Sequence, residues 1–100
     1  MRAWDHAFSI YDDAFKYRPH DETIRQNICR TANYAGRVAL NKGHATLAIK
    51  YLSRGRELMN KDTPAEVRQQ ILETLRQSCE MNNQPKEAAE VQAILQNGNF

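Results

Sequence analysis

GRVALNKGHATLAIKYLSRG, residues 36–55, is the stretch on which the fold turns. Gly43 sits near its middle and reads as the stop signal of a helix, because a C-terminal cap often needs a left-handed backbone. Upstream, Ala32, Ala35, Gly36 and Ala39 keep one helix face small. Downstream, Ala48, Leu52 and Gly55 follow at steps of four and three, a small–large–small set. Small faces on both sides of one turn let two helices approach closely, and the short turn makes them antiparallel.

Outward from this hairpin the helical spacing continues. The helix before Gly43 starts near Asp21, a plausible N-cap, and carries Ile24, Ile28, Ala32, Ala35 and Ala39 as its inner stripe. The helix after it runs from about Ala45 to Met59. An earlier helix spans roughly Arg2 to Arg18, stopped by Pro19. Thr63-Pro64-Ala65-Glu66 reads as a capping box with proline at the first helical position, opening a fourth helix with Val67, Ile71, Leu72, Leu75 and Cys79. A fifth starts near Pro85, carries Ala88, Ala89, Val91, Ile94 and Leu95, and ends at Asn97-Gly98. No segment alternates apolar and polar residues long enough for a strand. The expectation is an all-α chain of about five helices, packed as antiparallel hairpins in a single domain over residues 1–100.

Ala7, Ala48 and Ala89 are spaced by 41 residues each. Ala7, Tyr11 and Ala14 repeat the steps of Ala48, Leu52 and Gly55. With Pro19 they resemble the closing helix of a tetratricopeptide repeat. Gly36, Ala39, Gly43, Ala48, Leu52 and Gly55 resemble a second repeat, and Leu72, Leu75, Asn83, Ala88 and Leu95 a degenerate third. The family's repeat is about 34 residues, and armadillo- or HEAT-like stacks of about 40 residues stay open beside it. The family's first-helix Trp and Tyr are replaced by alanines in the second repeat. The resemblance implies a short right-handed solenoid whose inner groove, lined by the first helix of each hairpin, binds a protein or peptide partner.

Other function classes find less support in the residues. Nucleotide-binding and hydrolase motifs are missing, and His6, His20 and His44 sit at helix beginnings or breaks, so neither an enzyme nor a cofactor or metal site is expected. Cys29 and Cys79 stand in no ligand spacing and read as buried thiols. Without a secretory signal or a long apolar run, the expected location is the cytoplasm, with no membrane contact.

The net charge is only +2, yet Glu22 to Arg56 holds seven bases against one acid, while Lys61 to Glu90 holds four bases against six acids. Arg30, Asn33, Arg37 and Asn41 recur at helical spacing in the basic part. By the resemblance they line the groove, with Gln70, Glu73 and Gln77 from the next helix, and suit a partner that is acidic or offers free peptide groups. Nucleic acid is the weaker reading, because aromatic residues are not seen interleaved with the basic ones. Trp4, Phe8, Tyr11 and Phe15 form an aromatic stripe on the first helix. Its expected roles are self-association into a homo-oligomer, or burial under a preceding helix if the 100 residues belong to a longer chain.

Overall fold

Asp21 opens the central element: its carboxylate accepts the Ile24 N–H at 3.1 Å, as an N-cap should. The computed structural model describes residues 2–98. They form α1 (Arg2–Tyr17), α2 (Glu22–Asn41), α3 (Ala45–Leu58), α4 (Ala65–Met81) and α5 (Pro85–Asn97), with no strand among the described residues. The outer bounds of the expected domain, residues 1, 99 and 100, lie outside them.

Each helix packs on the next in sequence, and α2 also packs on α4. Gln26 and Asn33 of α2 bond Thr63 and Gln70 across that junction, so α4 runs parallel to α2. The molecule measures 35 × 30 × 19 Å; its thin dimension is two helices deep.

The core follows the small faces. A Cβ at Gly36 would collide with Leu52 Cγ and both its δ-carbons. A Cβ at Gly55 would lie 3.1 Å from Ala32 and 3.3 Å from Ile71. Ile28, Ala32, Ala39, Ala48, Leu52, Ile71 and Leu72 are sealed completely around these contacts.

Two turns share one geometry. Gly43 has φ +80° and Asn83 φ +61°. The His44 N–H donates to Ala39 O at 2.9 Å, and the Gln84 N–H to Cys79 O at 2.8 Å. Both are the six-to-one bond of a Schellman cap, placed 40 residues apart. The two turns thus match at a step of 40, not the 41 that separates Ala48 from Ala89. Ala88, 40 residues after Ala48, is buried, whereas Ala89 is exposed.

The capping box is corrected. α4 begins at Ala65, and its N-cap Pro64 supplies no side-chain bond. Thr63 Oγ1 instead accepts the Asn60 N–H at 3.0 Å and donates to Gln26 Oε1 at 2.8 Å. A buried hydroxyl bonded to two other segments is unavailable to the helix end.

Candidate partner-binding surface

The outward face of α2 carries Arg30, Tyr34, Arg37 and Asn41, all exposed. Three other arginines are engaged: Arg25 with Glu22 at 2.9 Å, Arg54 with Asp12 at 2.9 Å, and Arg76 with Glu80. Arg18 and Arg56, elsewhere in the chain, make no ion pair among the described residues. Arg30 and Arg37 have no ion pair or hydrogen bond among the described residues. Two unmatched guanidinium groups on one helix face can each fork onto a carboxylate. Between them stands Tyr34, 42% exposed, on whose ring Trp4 of α1 stacks at 4.9 Å.

The expected groove residues divide. Arg30, Arg37 and Asn41 share the open face, and Gln77 is exposed on α4. Asn33 does not join them. It is buried, and its amide donates to Gln70 Oε1 at 2.8 Å, so this pair ties α2 to α4 instead of meeting a ligand. The Asn33 Oδ1 has no hydrogen-bond partner among the described residues. Glu73 accepts from Gln69 at 2.9 Å and lines a shallow depression of about 400 Å³ between α4 and α5, with Arg76 and Gln92. It therefore belongs to the outer end, away from α2.

The aromatic stripe of α1 also divides. Phe8 and Phe15 are core residues and Tyr11 packs against the core. Phe8 meets Tyr51 edge-on at 5.0 Å, and the guanidinium of Arg25 lies 5.2 Å from the Phe15 ring centre. Of the four, only Trp4 is exposed, so the stripe as a whole is no association surface. α1 instead exposes Ile10 and Tyr17.

Tyr34 is the residue that sequence reasoning passed over. It follows Arg30 by four and precedes Arg37 by three, so its place on the basic face was available from spacing alone. Its stacking partner Trp4 was not, because 30 residues separate them.

Neither thiol is poised as a nucleophile. Cys29 Sγ lies 3.7 Å from Gly55 O as a weak donor, and burial pushes its pKa up to about 11. Burial raises Cys79 as well. Burial first, then the carboxylate of Asp5, raises the Tyr51 hydroxyl, which donates to Asp5 Oδ1. No helix among the described residues is long and apolar enough to cross a membrane. Comparison with known families, with curated proteins and with solved structures finds no match to the chain.

Proposed function

We propose that this chain is a short tetratricopeptide-like, right-handed solenoid. Its function is to bind an acidic segment of another protein along α2, with Arg30, Arg37, Asn41 and Gln77 as contacts. The repeat arrangement is supported by the paired Schellman turns and by the parallel course of α2 and α4. The single observation that carries the binding role is the pair of unmatched arginines on an open helix face.

A fluorescein-labelled peptide rich in glutamate and leucine tests the reading. Arg30→Glu with Arg37→Glu should abolish the anisotropy change while the helical dichroism spectrum stays as it was. Unchanged binding by the folded double variant would remove the site from α2.

One observation favours a second reading. Trp4 and Tyr34 do place exposed rings beside basic residues, which is the makings of a single-strand platform. Tight binding of an unrelated single-stranded oligonucleotide, lost steeply with added salt, would choose nucleic acid over an acidic peptide.

A further inference from the structure

α1 leaves open a face that α3 keeps buried. Ala7, Tyr11 and Ala14 stand 41 residues before Ala48, Leu52 and Gly55. In α3 those three residues carry the packing on α2, with Leu52 under Gly36 and Gly55 against Ala32. In α1 the corresponding three are only half-buried. Beside them Ile10 is 52% and Tyr17 88% exposed. Ala7, Ile10, Ala14 and Tyr17 recur at steps of three, four and three, so they form one stripe, and none of them belongs to the core.

The neighbouring edge of α2 has matching chemistry. Tyr34 carries the Trp4 stack there, and Arg30 stands unpaired near it in the helix. Arg30 lies 40 residues before Gln70, the residue to which Asn33 donates across the inner junction. A helix seated against α1 and α2, as α2 is seated against α3 and α4, would bring its counterpart of Asn33 onto Arg30. A guanidinium at that place selects a carboxylate and rejects a base.

We propose that this end of the stack is a seat for an amphipathic helix supplied by another protein. That helix has small residues facing Tyr11 and Ala14 and an acidic residue facing Arg30. The assignment rests on the repeat arrangement proposed above, and the seat shares Arg30 with the groove. Small residues are required because Tyr11 and Ala14 stand where Leu52 and Gly55 of α3 meet Gly36 and Ala32. The acid is required because nothing among the described residues neutralises Arg30.

The probe is a synthetic peptide of residues 21–42 of this chain carrying Asn33→Glu, added to the full protein. It contains no tryptophan, so the single Trp4, at the edge of the seat, reports binding. A saturable change in Trp4 emission is expected. Ala14→Glu, or Ile10→Glu should the former fail to fold, weakens it by at least about tenfold. Either change leaves the glutamate-rich groove peptide binding as before, which separates the failure of this seat from failure of the groove. Arg30→Glu reverses the preference, favouring the peptide with Asn33→Lys over that with Asn33→Glu. Absence of saturable binding, insensitivity to Ala14→Glu and Ile10→Glu, or no reversal would overturn the assignment. So would light scattering that shows a dimer dispersed by Ile10→Glu, because a second copy would then own the seat.

Discussion

The hairpins α2–α3 and α4–α5 turn in the same way and pack differently. Both close on a six-to-one bond with a left-handed residue, Gly43 in one and Asn83 in the other. At the crossing, α2 has Gly36 and α3 has Leu52; 40 residues later stand Arg76 and Gln92. The first pair interlocks, while the second lines an open depression with Gln69 and Glu73. Path and packing are thus specified by different residues. The turn sets where the chain goes, and the side chains at the crossing decide whether the next surface is core or a polar end.

Substitution at the crossing should separate the hairpins most. Gly36→Leu drives a side chain into Leu52, which is fully buried and has nowhere to go. The expected cost is about 3 kcal/mol, with Arg76→Leu near 0.5 kcal/mol. Thermal melts of both variants check it; equal losses would mean that the outer hairpin is as tightly interlocked as the inner one.

The turns should differ less. Gly43 has open space around it, so Gly43→Ala meets only the backbone penalty of a left-handed residue, about 1–2 kcal/mol. Denaturant titration that finds Gly43→Ala neutral would show that this turn relaxes without loss.

Each hairpin also contributes a buried cysteine, Cys29 in one and Cys79 in the other. The folded pKa of Cys29 is raised from the ordinary 9.0 to about 11. Its stabilising contribution is therefore complete below pH 9.0 and is lost as pH rises towards about 11, since the unfolded chain releases the proton first. By pH 10 the loss is on the order of 1 kcal/mol. Cys29→Ala should flatten the alkaline limb of the stability profile more than Cys79→Ala does. A limb unchanged by Cys29→Ala would assign the alkaline loss to other groups.

The smallest effect should come at the second turn. Asn tolerates the left-handed region, so Asn83→Gly is expected to stay within about 0.5 kcal/mol of the parent. A larger gain in melting temperature would mean that Asn83 is strained and that the two turns are less alike than their bonds suggest.

Much of this fold was legible because it is written locally. The apolar spacing placed all five helices, and Asp21 caps α2 as its position implied. What escaped the sequence depends on distant partners. Thr63 looks like a cap until Gln26, 37 residues away, takes its hydroxyl. Asn33 looks like a groove ligand until Gln70 arrives across the helix junction. The aromatic stripe of α1 reads in the sequence as an association surface, but Phe8 meets Tyr51 of α3 and Phe15 meets Arg25 of α2 within the chain.

α5 packs its backbone on α4 alone, and only Ala88 and Val91 of it are buried. α1 likewise lies along a single helix backbone, α2, but Tyr51 and Arg54 of α3 reach across to hold Asp5 and Asp12. Each element opens at a free energy set by its own attachments. Amide protons of α5 therefore exchange with solvent first, those of α1 later, and those of α2, α3 and α4 only when the whole chain unfolds.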